Sequence, residues 1–142
     1  MKTHFLKTEQ DTESFAANIA KSINPPAIIF LEGQLGAGKT TFVRGFLRAL
    51  GYDGRVKSPT FTLVETYDLD TCHIAHFDLY RLKDPAELEL IGIRDYFESD
   101  TVCIIEWASL AKEYLPKPAM ICEFSVPEDG EGRVISCYTR QA

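Results

Sequence analysis

At 142 residues the chain is long enough to bury one core without staples, and its 45% apolar and 25% charged content is ordinary for a soluble globular protein. A formal charge of −6 argues against broad, phosphate-driven binding to nucleic acid by this chain alone. No apolar run approaches a membrane span, and the start Met1-Lys2-Thr3-His4 lacks a secretory pattern, so a cytoplasmic protein without membrane association is expected.

In chain order, His4-Phe5-Leu6 reads as an edge strand. A helix is expected from near Asp11, with Phe15, Ile19 and Ile23 on one face, ended by Asn24-Pro25-Pro26. Ala27 to Leu31 is a short continuous apolar run, the mark of a strand buried on both faces. Directly after it, Gly33-Gln34-Leu35-Gly36-Ala37-Gly38-Lys39-Thr40 fits the pattern G-x-x-x-x-G-K-[ST]. Phe42, Val43, Phe46, Leu47 and Leu50 then recur at helical spacing, and Gly51 sits where a left-handed stop belongs. The pattern therefore lies in the strand–loop–helix context its mechanism needs. Glycines let successive N–H groups turn inward onto a polyphosphate, and the helix amino end adds partial positive charge. Lys39 can reach the β- and γ-phosphates, and the Thr40 hydroxyl can ligate Mg²⁺.

Residues 52–60 are polar and turn-rich. Two β-rich runs follow, Phe61 to Tyr67 and His73 to Arg81, spaced by Asp68-Leu69-Asp70-Thr71 as an antiparallel hairpin. Asp84-Pro85-Ala86-Glu87 is a helix start, and that helix should finish near Gly92. Thr101 to Ile105 is a second fully buried strand, ending at Glu106-Trp107. A short helix around Leu110 to Tyr114 stops at Pro116, and Met120 to Val126 with Arg133 to Tyr138 reads as a closing hairpin. The predicted architecture is one α/β domain over residues 1–142, a three-layer sandwich resembling phosphate-loop NTPases, whose mixed sheet has a parallel core extended by antiparallel strands.

The four cysteines, Cys72, Cys103, Cys122 and Cys137, contain no C-x-x-C pair and read as buried free thiols. Within Cys72-His73-Ile74-Ala75-His76, strand alternation turns His73 away from Cys72 and His76, so the cluster reads as structural rather than metal-binding.

Ligands of open α/β sheets bind beyond the carboxyl ends of the parallel strands. Glu106 closes a buried strand at that end and is the candidate second Mg²⁺ anchor beside Thr40. Along the run from His73, alternation puts Ile74, His76, Asp78 and Tyr80 on one face. Asp78 reads either as the acid that orients an attacking water or as an ion-pair partner of Arg81. Thr60, in Ser58-Pro59-Thr60, stands where many NTPases sense the γ-phosphate, although a Ser-Pro turn explains it equally well. Trp107 reads as a packing or interface aromatic.

Taken together, Gly33–Thr40, Ser58-Pro59-Thr60-Phe61-Thr62-Leu63-Val64, His76-Phe77-Asp78-Leu79-Tyr80-Arg81-Leu82 and Glu106-Trp107, in this order and spacing, resemble the bacterial TsaE (YjeE) ATPases across essentially the whole chain. The resemblance implies an ATPase supporting biosynthesis of N6-threonylcarbamoyladenosine, beside the anticodon of tRNAs reading ANN codons. It implies a complex of TsaD and TsaB as partner, tRNA reached only through that complex, and feeble hydrolysis by the isolated protein. It further implies that Gly33, Leu35, Gly36, Ala37, Gly38, Lys39, Thr40, Thr41 and Thr60 contact ATP, with Arg133 a further nucleotide contact. Thr40 and Glu106 would hold Mg²⁺, and Lys39, Asp78 and Glu106 would carry the chemistry. Where the family often has another acid two residues after Glu-Trp, this chain has Ser109. Two other readings use the same pocket: a small-molecule kinase, and a nucleotide-dependent binding module whose hydrolysis is incidental.

Overall fold

The computed structural model describes residues 2–34, 36–97 and 100–139. Among these, seven strands form one sheet: β1 (Lys2–Leu6), β2 (Ala27–Glu32), β3 (Val64–Asp68), β4 (His73–Asp78), β5 (Thr101–Glu106), β6 (Met120–Ser125) and β7 (Arg133–Thr139), in spatial order β1-β7-β6-β2-β5-β4-β3. Strands β6, β2, β5 and β4 are parallel. Strand β7, between β6 and the edge strand β1, and the other edge strand β3 are added antiparallel, as the sequence predicts. The continuous apolar runs become β2 and β5, side by side and buried on both faces.

Alternation along these strands builds two cores. Ile29, Leu31, Ile74 and Ile104 face helices α1 (Glu9–Ser22) and α2 (Lys39–Ala49), meeting Phe42, Val43, Phe46 and Leu47. Phe30, Ala75, Phe77 and Ile105 face the other way, covered by the single-turn helix α3 (Glu87–Leu90) and by 3₁₀ segments at Ile93–Phe97 and Ala108–Tyr114. The result is three layers of helix, sheet and helix. No helix among the described residues is long and apolar enough to cross a membrane.

Several boundaries differ from expectation for local reasons. Helix α1 starts before Asp11: Thr8 is its N-cap, the Asp11 N–H donates to Thr8 Oγ1 at 3.1 Å, and the Thr8 N–H donates to the Asp11 carboxylate at 3.2 Å. Asp11 is thus the third helical residue of a capping box, not the first. Strand β3 begins at Val64 rather than Phe61, because residues 61–63 turn and Leu63 sits at φ 72°. Strand β4 stops at Asp78 rather than Arg81, because the Asp78 side chain takes the Tyr80 N–H at 3.0 Å and closes a turn. The helix expected up to Gly92 ends at Leu90, and Gly92 at φ 68° breaks it from the 3₁₀ segment beyond. The cysteines are free thiols, three of them buried, with Cys122 and Cys137 opposite each other across β6 and β7.

Helices α1 and α2 approach so closely that a Cβ on Gly45 would lie 2.5 Å from the Glu13 Cα and carbonyl oxygen. Arg44 pairs with Glu13 at 3.5 Å on the same seam. Alanine would gain helix propensity, but both neighbours are backbone and cannot yield without parting the helices. We expect Gly45→Ala to destabilise the fold by about 1–3 kcal/mol net, read as a lower urea midpoint at unchanged slope. An unchanged midpoint would show that this seam is loose.

Candidate nucleotide site

The turn out of β2 is shaped by glycine. Gly33 has φ +144°, and a Cβ there would stand 2.8 Å from the Phe124 carbonyl oxygen, so β6 presses against the loop from behind. Gly38 is the N-cap of α2, at φ +107°, a conformation that side chains resist. It offers no capping side chain, and the first turn of α2 holds no acid. Helix α1 differs, carrying its own capping box with Glu9 and Asp11 in its first turn. The positive end of α1 is therefore answered by its own side chains, whereas that of α2 has neither a capping side chain nor a first-turn acid among the described residues.

Buried charge gathers at the same end of the sheet. Lys39 is 4% exposed, and its ammonium donates to the Gly33 carbonyl at 2.6 Å. It lies 3.6 Å from Glu106 Oε1 and 4.6 Å from the centre of the Trp107 ring. Glu106, at the end of β5, stands opposite Asp78 in β4. The backbones are locked there by the Leu79 N–H donating to the Glu106 carbonyl at 3.1 Å. The other Glu106 oxygen accepts from His76 Nε2 at 2.5 Å. Asp78 accepts the Thr60 hydroxyl at 3.1 Å, and Thr60 and Ser58 hydroxyls meet at 2.8 Å. Arg81, the alternative partner for Asp78, instead lies over the Phe61 ring at 4.2 Å. Glu32, closing β2, is distinct from this group. Burial holds its carboxyl above the ordinary range, Lys39 pulls it down, and Glu123 pushes it up.

One cavity of about 390 Å³ collects these groups, a volume within the range of small-molecule sites. Gly36, Gly38, Lys39, Thr40, Thr41, Thr60, Asp78, Glu106 and Arg133 all line it. Gly33 and Ala37 do not: Gly33 anchors Lys39, and buried Ala37 donates its N–H to the Gln34 carbonyl at 3.1 Å. Leu35 lies outside the described residues. The Arg133 guanidinium donates to the Gly132 carbonyl at 2.6 Å and to the Gly36 carbonyl at 3.1 Å, so it braces the loop. The wall formed by Lys7, Thr8, Glu9 and Thr12 went unforeseen, since the helix was expected to start only near Asp11 and nothing local places its amino end beside the loop. His76 went unforeseen as a partner of Glu106, although alternation did put it on the face of Asp78.

The donors suit a hard cation bound with phosphate. No cluster of three or more His, Cys, Asp or Glu forms a cage among the described residues. Thr40 offers a hydroxyl and Glu106 a carboxylate to the cavity, a donor set of the kind Mg²⁺ takes alongside substrate phosphates. Among the described residues, the buried side-chain polar atoms lacking a partner are His76 Nδ1 and Trp107 Nε1, both beside this cluster. Trp107 is also held at φ 59°, a sparsely populated conformation of the kind that gathers at functional sites.

The sequence profile described as "Threonylcarbamoyl adenosine biosynthesis protein TsaE" matches residues 6–135. A "tRNA threonylcarbamoyladenosine biosynthesis protein TsaE" of Haemophilus influenzae is 48% identical over 118 residues, spanning 82% of this chain and 75% of that one. The protein of the same name from Aquifex aeolicus is 36% identical over 137 residues, spanning 94% of each. The crystal structure of Bacillus subtilis YdiB superposes with a TM-score of 0.81 at 29% identity, covering 98% of this chain and 86% of that one. With a phosphate loop, a buried Lys39–Glu106 pair and this degree of likeness along nearly its whole length, the chain belongs to the TsaE family.

Proposed function

We propose that this chain binds MgATP in the cavity beside Gly38 and hydrolyses it, weakly alone and faster on its partner, to support N6-threonylcarbamoyladenosine formation in cytoplasmic tRNA. The observation that carries this reading is the uncapped amino end of α2 opening onto the same cavity as Lys39, Glu106 and Asp78. The first-turn amides of α2 and the Lys39 ammonium would bind the phosphates, and Thr40 with Glu106 would hold Mg²⁺. Bound Mg²⁺ would neutralise charge on the phosphate oxygens. Asp78 would orient the attacking water from its place beside Thr60.

The TsaD–TsaB complex is the proposed partner, with tRNA reached through it; this rests on family membership. A kinase draws less support, since the arginine lining the cavity, Arg133, is already bonded to carbonyls. A timing role for slow hydrolysis is favoured by one contact, the Thr60–Asp78 bond. It ties the site to a loop whose neighbouring Phe61 is 82% exposed.

Calorimetry with ATP, with and without Mg²⁺, together with phosphate release in the presence of TsaD and TsaB, tests this. Metal-dependent heat and partner-stimulated release are expected. No heat from MgATP, alone or with the partner present, would end the proposal.

A further inference from the structure

We infer that His76 is a positioning residue for the metal-bearing carboxylate, holding Glu106 so that one oxygen stays free for the cavity. This deepens the MgATP reading and rests on it. His76 is fully buried in β4, two residues before Asp78 and on the same face. Its one hydrogen bond runs from Nε2 to Glu106 Oε2 at 2.5 Å, and Nδ1 has no partner. A carboxylate has only lone pairs to offer, so the ring donates. An imidazole in an apolar interior costs desolvation that an aliphatic side chain of similar size would avoid. The hydrogen-bonding capacity of this ring goes to Glu106 alone.

The effect on Glu106 is geometric. Its side chain stands at the end of β5 between two groups, His76 on Oε2 and Lys39 at 3.6 Å from Oε1. Lys39 also has the Gly33 carbonyl and the Trp107 face, and it is the group a phosphate would recruit. Once Lys39 turns to phosphate, the bond from His76 is what keeps the carboxylate from rotating. Oε1 then stays directed at the cavity beside Thr40. Carboxylates that hold metals commonly depend on such outer hydrogen bonds, and losing one typically costs 10–100-fold in metal affinity.

The test uses the full chain and needs no turnover. Nucleotide binding is followed by the emission of Trp107, the chain's one tryptophan, which lies against Lys39. ATP is titrated across a series of Mg²⁺ concentrations and again in chelator. His76→Leu is expected to raise the Mg²⁺ needed for half-maximal tightening about 10–100-fold, with ATP affinity in chelator unchanged. His76→Gln, which restores an N–H donor, should recover part of the loss. In a Glu106→Gln background, His76→Leu should add no further shift, because the pair acts through one carboxylate. If the leucine variant does not fold, His76→Asn makes the same comparison, because its shorter amide does not reach the position from which Nε2 bonds Glu106. An unaltered Mg²⁺ dependence in the His76 variants, with the parent responding normally, overturns this role alone. A parent that shows no Mg²⁺-dependent ATP binding overturns both this role and the MgATP reading.

Discussion

Replacing Lys39 with alanine is expected to lower MgATP turnover by about 10²–10³-fold, the usual loss when one preorganised charge stabiliser is removed from an active site. The ammonium is placed by three contacts at the cavity wall: the Gly33 carbonyl, the Glu106 carboxylate and the Trp107 ring. None belongs to the packing of Phe42, Val43 and Phe46 beneath α2, so the helix should survive. Glu106 keeps its bond from His76 in the variant. Phosphate release with the partner complex present, together with a circular-dichroism melt, separates lost chemistry from lost structure. Turnover undiminished in a folded variant would remove Lys39 from the mechanism.

Asp78→Asn should reduce kcat by about 10²-fold or more with little change in KM, as loss of a group acting chiefly in the transition state does. The amide is close in shape to the carboxyl. Its oxygen can still accept the Tyr80 N–H that ends β4, and its nitrogen can meet the Thr60 hydroxyl as a donor. What it cannot supply is a negative oxygen for the water. A rise in KM with kcat intact would instead make Asp78 a binding residue, acting through the Ser58–Thr60 loop.

The phosphate-loop part of the candidate site was legible because its residues are local in the chain. A phosphate loop needs its glycines, lysine and threonine in one continuous stretch, and the flanking apolar run and helical spacing follow from the burial of β2 and α2. Glu106 was legible as an acid closing an apolar strand. Asp78 was half legible: alternation gave its face, but only the placement of Arg81 over Phe61 removed the ion-pair alternative.

What escaped depends on elements brought together from afar. The cavity wall at Lys7 to Thr12 is adjacent because β1 is carried across the sheet edge by β7. Pressure of Phe124 on Gly33 and bracing of Gly36 by Arg133 come from a hairpin nearly a hundred residues downstream, which no local pattern encodes. The close approach of the Glu13 backbone to Gly45 joins two separate helices, and no local pattern marks it. The short helix α3 was overestimated at both ends: it begins at Glu87 after Ala86, an N-cap without a side-chain cap bond, and Gly92 and the burial of Ile93 decide how soon it stops.

The pairing of β1 with β7 has a consequence for synthesis. Lys2 meets Cys137, and Leu6 meets Arg133. During vectorial translation the first strand must therefore wait, unpartnered, until β7 has left the ribosome. The same holds for the brace on Gly36, since Arg133 emerges about when β7 does. Contacts this distant are slow to close and come late in folding. A nascent chain halted before β7 would carry its glycine-rich turn yet lack the Arg133 brace on Gly36 that supports the turn.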